Sequence, residues 1–530
     1  MQRARTTSPI AIAGRIPTLN GWPGVAILFA FFLMGVHAAR LRPFWFDELS
    51  TLFVTNTPTI REMFRAIPTD GNPPLYFLLA RLSLHLHLGV ELALRLPALL
   101  AYLLAALTVY WFVRRDASRI YALLSMSMFL GCSIHRYAIE ARAYSLLMAF
   151  TGITICSWQY YRQSGRRRAL VGISLGVIGA IFTHQYGVIY STLPLIAGEF
   201  VRALRRRVLD RRVLYALAIP ALAILLTYPP TLRAQQSLLS AIHACPGFYA
   251  HPRLRDLKVY AEMVPPLFAL VAVLACVGLL FKLALIGPPP RGEEPASDGP
   301  PEDLAVAAML ALFVPVMLLV THFGTNYFKS RYGIGSSLGL SLLSGLLLSR
   351  LHWRHAPQLA WVGVVYSLAV CFLGMRLAGT ADVISSWSDP ILQARDMQEP
   401  IVVASALEFS PMWWYADRQM RPQLHYLADL DYARRLHSDL IPEYSLALER
   451  SYTPMQMDDY RSFVQSHRHF LLYCHGEPRL EWVKERLVRE GWRLRLLQSA
   501  KIESAKIEPV GDEGQMYREL YMVTSESGQR

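Results

Sequence analysis

Two adjacent carboxylates, Asp47 and Glu48, stand in the stretch FWFDELS, inside an aromatic cluster and just after a long apolar segment. Neighbouring side chains point about 100° apart on a helix and to opposite faces of a strand, so only one of the two addresses a bound molecule. A carboxylate lined by Phe44, Trp45 and Phe46 is partly desolvated. Desolvation raises its basicity and suits it to take a proton from an attacking hydroxyl or amine. The bland alternative is that FWF is an interfacial aromatic anchor and Asp47 and Glu48 are the first hydrated residues beyond it.

A second acid, Asp70, lies in TDGNPPLY beside a turn-forming Gly-Asn-Pro-Pro. It either orients an acceptor or makes the turn. HRYAIEARAYS, 135 to 145, sets His135, Arg136, Glu140 and Arg142 between two apolar segments. Charges are expensive in lipid, so these form either an ordinary wet loop or the wall of a polar cavity. Arg142 and Tyr144 immediately precede an apolar segment, where a guanidinium can point at an anionic headgroup; Arg136 reads equally well as a snorkelling surface residue. FKSRYG, 328 to 333, adds Lys329, Arg331 and Tyr332 at another segment entry. Cations are disfavoured on the outer side of a membrane, so their presence there calls for an anion, and lipid phosphate is the obvious one. The alternative is incidental headgroup contact.

Two further patterns carry less. GIGSSLG follows no strand and so is not a nucleotide loop; small residues at this spacing fit close helix packing. His184 in THQYG and His322 in THFG lie at segment ends, where a carboxylate could join them around a metal. Two isolated histidines do not make a metal site, and whether a divalent ion takes part stays open.

The elements that must position these residues are membrane spans. The chain has 530 residues, 53% of them hydrophobic and 17% charged, with a mean hydropathy of +0.28, which excludes an ordinary water-soluble globule. The net charge of +14 comes from short basic runs between apolar segments, such as RRDASR, RQSGRRR and RALRRRVLDRR, so it argues for cytoplasmic loops and against nucleic acid. Segments long enough to cross a core of about 30 Å begin near residues 22, 93, 119, 143, 168, 186, 213, 260, 304, 333 and 357, about eleven spans. With the arginine clusters inside, Asp47, Asp70, the 135–142 stretch, THQYG and FKSRYG all emerge on the non-cytoplasmic side.

PPLYFLLARLSLHLHLG, 73 to 89, breaks the alternation and is read as an interfacial helix opened by Pro73 and Pro74; if it crosses, another span must be split and the count rises to twelve or thirteen. Val-His-Ala before Ala39 suits a signal peptidase, but cleavage would leave Asp47 near a loose chain end. The linker 287–303, rich in Pro, Gly and acids, is expected to be disordered and cytoplasmic. From 379 to 530 the composition changes: EPIVVAS, HFLLYCH, WRLRLLQS and MYRELYMVTS read as strands and EPRLEWVKERLVREGW as a helix, giving a mixed α/β domain on the outer side. Of the six cysteines, four lie in or beside apolar segments; Cys245 and Cys474 are expected to face water, with no spacing rule to pair them.

Taken in order, FWFDELS, DGNPPLYFLLARL, ALRLPALLAYLLAALTVYWFVRR, HRYAIEARAYSLLM and KSRYG resemble the polyprenyl-phosphate-dependent glycosyltransferases of the GT-C type. Within these the nearest match is the protein mannosyltransferase and lipid A aminoarabinose transferase family. The likeness is firm over roughly residues 20 to 165, thinner through 166 to 350 and architectural beyond, and five motifs in order are more specific than any one of them. It implies a polytopic α-helical membrane domain over 1–378, with an external loop at 40–92, and a soluble α/β domain over 379–530. It also implies a hexosyl or pentosyl transferase that takes a sugar from a polyprenyl-phosphate donor at the outer face of a bacterial inner (plasma) membrane. By resemblance Asp47 is the catalytic acid, Glu48 its acidic neighbour and Asp70 the acid before the PPL segment. Arg142, Tyr144 and Arg331, with Lys329 and Tyr332, fall around the lipid phosphate. The acceptor, whether protein, lipid or glycan, stays open. The rival is a transporter or flippase of lipid-linked saccharides, which would keep its charges near the bilayer midplane and show repeated halves; here the acids are in loops and no repeat is evident.

Overall fold

A computed structural model describes residues 22–227, 251–263, 299–351, 356–379, 397–436, 440–476, 481–501 and 517–525. The apolar runs form helices: α1 (Trp22–Leu41), α5 (Val90–Arg114), α6 (Arg119–Gly131), α7 (Tyr144–Ser164), α8 (Arg168–Thr183), α9 (Gly187–Arg206) and α10 (Arg211–Thr227). Further along come the helices Pro301–Ala311, Phe313–Phe323, Gly335–Arg350 and Ala356–Gly379. Between α1 and α5 the chain makes three short helices, α2 (Phe46–Thr55), α3 (Ile60–Asp70) and α4 (Leu75–Leu84).

Among the described residues five helices are long and apolar enough to cross a membrane, or seven if each of two bent pairs counts as one span. The bent pairs are Ser133–Ile139 with α7, at 107°, and Pro301–Ala311 with Phe313–Phe323, at 55°. Of the eleven expected segments, those near 119 and 168 are helices of 13 and 16 residues, and that near 213 has 17. At 1.5 Å per residue the 13-residue helix reaches only about 20 Å, short of a hydrocarbon core. Beyond residue 263 the segment begun near 260 lies outside the described residues, as does Cys245. Helix α4, with 10 residues, is likewise too short to cross.

The small-residue reading of GIGSSLG holds. A Cβ on Gly339 would lie 1.9 Å from the backbone nitrogen of Ala311, and one on Gly335 would meet the Phe313 and Tyr190 rings. Only glycine lets the helix Gly335–Arg350 seat this closely on its neighbour.

The acidic end of the 287–303 linker departs from the expectation of disorder. Residues 287–298 lie outside the described residues, but Pro301 opens a helix whose first turn holds Glu302 and Asp303, both buried. Proline suits a first helical position and the carboxylates suit its positive end. Arg162 of α7 bonds Asp303 and lies 3.5 Å from Glu302, and Arg350 donates to the carbonyl of Gly299. The arginine-bearing helix ends therefore meet at one pole. Arg95, five residues into α5, and Arg114, its last residue, are nineteen positions or about 28 Å apart.

The C-terminal residues form a six-stranded sheet in the order β3-β2-β1-β4-β6-β5. Its strands are β1 (Ile401–Val403), β2 (Leu424–Ala428), β3 (Gln456–Asp459), β4 (His469–Cys474), β5 (Arg493–Lys501) and β6 (Tyr517–Thr524). β1 to β4 pair in parallel, while β6 runs antiparallel between β4 and β5. The four expected strands are present, and the expected helix is Trp482–Arg489. Cys474 ends β4 as a buried free thiol.

This domain docks on the short helices rather than standing apart. Trp413 and Trp414 of the helix Ala406–Tyr415 meet Phe53 of α2 edge-on, at 6.3 and 6.2 Å between ring centroids. The Tyr415 hydroxyl accepts from the Phe44 amide at 2.8 Å, and the Tyr452 and Thr69 hydroxyls share a 2.7 Å hydrogen bond. The sheet domain thus lies on the same face as FWFDELS.

Candidate active site

Asp47 and Glu48 fall in the first turn of α2, where unpaired backbone N–H groups favour negative charge. The helical geometry separates them. Glu48 turns inward and is fully buried, bonded by two nitrogens of Arg95 and by the Ala141 amide at 2.7 Å. Arg95 also donates to the carbonyls of Ala39, Arg42 and Pro43, so the pair ties the end of α1 to α2 and α5. Asp47 turns the other way and keeps 18% of its side-chain surface exposed.

The open side of Asp47 meets Arg331, 284 positions later, at 2.8 Å. Arg331 enters on the short turn Ser330–Gly333, and its Nε is buried with no hydrogen-bond partner among the described residues. Its guanidinium lies 5.8 Å above the Tyr144 ring. Tyr332 packs edge-on against Tyr186 and Tyr327, and His184 sits between Tyr144 and Tyr186. Lys329 lies 5.8 Å over the Tyr327 ring. The Tyr190 hydroxyl anchors the turn by donating to the Tyr332 carbonyl at 2.6 Å.

Arg142 joins the second acid. One of its nitrogens donates to Asp70 Oδ2 at 2.6 Å, and to the Asp47 carbonyl and the Thr51 hydroxyl at 3.1 Å each. Asp70 ends α3, which opens on a Thr59–Glu62 capping box and stops at Gly71 with φ of 78°, a left-handed conformation that glycine adopts without strain. Asn72 of the GNPP turn donates to Asp70, so this acid both makes the turn and engages the site. His135, Glu140 and Arg142 are buried and Arg136 is exposed, which divides the 135–145 stretch between cavity wall and surface.

Burial alone would raise the proton affinity of Asp47, but the Arg331 and Arg142 guanidiniums and Lys329 outweigh it and hold the carboxyl below its ordinary 3.8. Burial, then Arg331 and Arg142, push His184 down to about 3, so its ring is neutral at neutral pH. His322 is exposed. No group of three or more His, Cys, Asp or Glu side chains among the described residues is placed to hold a metal ion.

The structure thus brings Asp47, Asp70, Arg142, Tyr144, Arg331 and Tyr332 together, with Lys329 at the edge, and sets Glu48 behind them. The sequence reading passed over Arg95, whose signal was present: a lone arginine inside ALRLPALL has to be paired. It also passed over Glu449, which the sheet domain buries beside Ser50 with Asp47 and Asp70 nearby.

Residues 71–230 match the family described as dolichyl-phosphate-mannose-protein mannosyltransferase. Among solved structures, ArnT from Cupriavidus metallidurans in the apo state is similar with a TM-score of 0.50 and 14% identity, covering 94% of this chain and 97% of that one. The same protein bound to undecaprenyl phosphate is similar with a TM-score of 0.47, at the same identity and coverage. No curated protein sequence matches. The family match and the apo structure bear out the resemblance to the GT-C fold and, with the apolar helices, make the chain an integral membrane protein of that fold.

Proposed function

We propose that this membrane protein of GT-C fold moves a hexose or pentose from a polyprenyl-phosphate lipid to an acceptor at the outer face of the membrane, with Asp47 as general base. The observation that carries the reading is the 2.8 Å contact between Asp47 and Arg331, a half-buried acid and a cation from a distant span entry. The family matched over residues 71–230 is described by a dolichyl-phosphate sugar donor, which supports the lipid class.

The chemistry follows from the charges. The acceptor hydroxyl oxygen attacks the anomeric carbon, the bond from that carbon to the phosphate oxygen breaks, and the phosphate leaves with the electron pair. The hydroxyl proton passes to Asp47. Displacement from the face opposite the phosphate inverts the anomeric configuration. The leaving phosphate gains negative charge, which Arg331, with Lys329 and Arg142, stabilises; in a site screened from water a fixed cation is worth several times its value in solution. The Arg331 Nε, without a hydrogen-bond partner among the described residues, is a donor ready for a phosphate oxygen. The Tyr144 ring lies under the guanidinium at 5.8 Å.

The donor also prepares the base. Without it, Arg331 keeps Asp47 ionised but weakly basic. A phosphate that engages Arg331 cancels part of that field, and the proton affinity of Asp47 rises when the acceptor needs it. Asp70, locked to Arg142, orients the acceptor side. The arrangement belongs at the periplasmic face of a bacterial inner membrane, since the arginine-rich helix ends lie at the other pole and positive loops stay inside.

The test is purified protein with a labelled polyprenyl-phosphate sugar and a panel of membrane glycans, lipids and proteins. An enzyme releases free polyprenyl phosphate and labels an acceptor. Translocation of intact donor across reconstituted vesicles without release would instead establish the lipid-linked saccharide flippase.

A further inference from the structure

The sheet domain carries one ionisable group into the transfer site. The helix Ile441–Glu449 lies against α3, and its last residue, Glu449, is 1% exposed. The side chain faces Ser50, which stands one helical turn after Asp47 on the same side of α2. Glu449 Oε1 has no hydrogen-bond partner among the described residues. Three residues on, the hydroxyl bond between Tyr452 and Thr69 fixes this segment to the residue before Asp70. A buried carboxyl oxygen without a partner is costly, and one held against two other acids is more so.

We propose that Glu449 is a positioning residue of the transfer site, supplied by the sheet domain, which closes the pocket behind Asp47 and Asp70 and keeps Arg142 bound to both of them. The inference rests on the reading of Asp47 as the base. Among the described residues the titratable and charged groups facing Glu449 include Asp47 from α2, Asp70 from α3, Arg142 from the turn before α7, and Tyr452 from its own segment. Burial is the main cause that pushes its carboxyl up to about 8; Asp70 and Asp47 add to the rise, and Ser50 and Arg142 oppose it. At neutral pH the group is therefore mostly uncharged. Arg142 then serves Asp70, Thr51 and the Asp47 carbonyl without a third carboxylate competing for it. Loss of the Glu449 proton places a new negative charge beside that arginine, draws it from Asp70 and disturbs the acceptor side.

The experiment measures transfer from a labelled polyprenyl-phosphate sugar between pH 6 and 9.5 with full-length wild type, Glu449→Gln and Ser50→Ala. At one unit above the transition only about a tenth of the carboxyl keeps its proton, so wild-type transfer falls about tenfold between pH 7 and 9. Relative to its own value at pH 7, Glu449→Gln stays within about twofold over that range. Ser50→Ala moves the alkaline fall to higher pH, because the lost hydroxyl had favoured the ionised form. Superimposable profiles for all three proteins overturn the proposal.

Melting temperature gives a readout independent of turnover. A carboxyl whose folded value is raised above the ordinary 4.5 contributes stability below 4.5 that is lost as pH rises through about 8. Wild type should therefore lose melting temperature relative to Glu449→Gln between pH 5 and 9, and a constant difference overturns the placement of Glu449. Absence of transfer by wild type at every pH sinks the proposed function alone, and the melting curves then decide the Glu449 inference.

Discussion

Glu48 and Arg95 meet in a two-pronged ion pair, Nε to Oε1 at 2.7 Å and Nη2 to Oε2 at 2.6 Å, with both side chains wholly out of solvent. The adjacent acid, Asp47, shares none of this and faces Arg331 instead. Removing one partner of a buried pair strands the other charge, which costs about 3–5 kcal/mol. Glu48→Gln or Arg95→Met alone should lower the yield of folded protein and its melting temperature. The double variant, which removes both charges, should recover part of the loss. A single variant as stable as wild type would show that this pair does not hold α1, α2 and α5 together.

Asp47→Asn keeps the shape of the side chain and removes the base. Transfer should fall by about 10²–10⁴ in kcat, the usual worth of general base catalysis. The protein should accumulate in membranes at the wild-type level, and donor KM should hold or drop, because Arg331 loses its competing carboxylate. Rates within a fewfold of wild type rule out Asp47 as the base.

Arg331→Ala removes the cation, and Arg331→Lys keeps charge without the flat fork that matches a phosphate. Donor KM should rise in both, more in the alanine variant, with smaller change in acceptor KM. Titration of each variant with polyprenyl phosphate as product inhibitor reads this directly. Equal weakening toward donor and acceptor counts against a phosphate role.

The pH profile of Asp47 has a definite sign. Its carboxyl sits below the ordinary 3.8 in the free protein because Arg331 and Arg142 outweigh burial. The acid limb of kcat/KM, which reports the free protein, should therefore lie below pH 3.8. The stability that ionised Asp47 contributes is present above that value and is lost as pH falls through the depressed one. With donor bound, Arg331 is shared with phosphate, so the acid limb of kcat should sit at higher pH than that of kcat/KM. Coincident limbs would show that the donor leaves the Asp47–Arg331 contact intact.

Much of the site was readable from residue type alone, because charges beside apolar segments need a reason. Asp47, Asp70, Arg142 and Arg331 stood out on that ground, and the structure joins them by direct hydrogen bonds. Glu48 stood out equally, yet its partner is buried within α5, and which of two neighbouring acids faces outward depends on helix phase. Glu449 was silent in the sequence: it ends a nine-residue amphipathic helix in a domain that looks independent, and only the docking of that helix on α3 gives it a role. The strands β2 and β3 escaped notice because His425 interrupts LHYLA and two acids end QMDD, so neither shows the apolar run that marks the three-residue β1. Span lengths were the least readable, since hydropathy does not register the bends before α7 and after Ala311.

Tyr415 and Tyr452 hold the sheet domain at two points, one at the entry to α2 and the other at the exit from α3. A body pinned on both sides of a short helical pair behaves as a brace and not as a hinged cover. Any movement that admits a bulky acceptor must strain one of these two phenol contacts. Grafting a foreign tail onto the membrane helices would then alter the stiffness of the surroundings of Asp47 and Asp70.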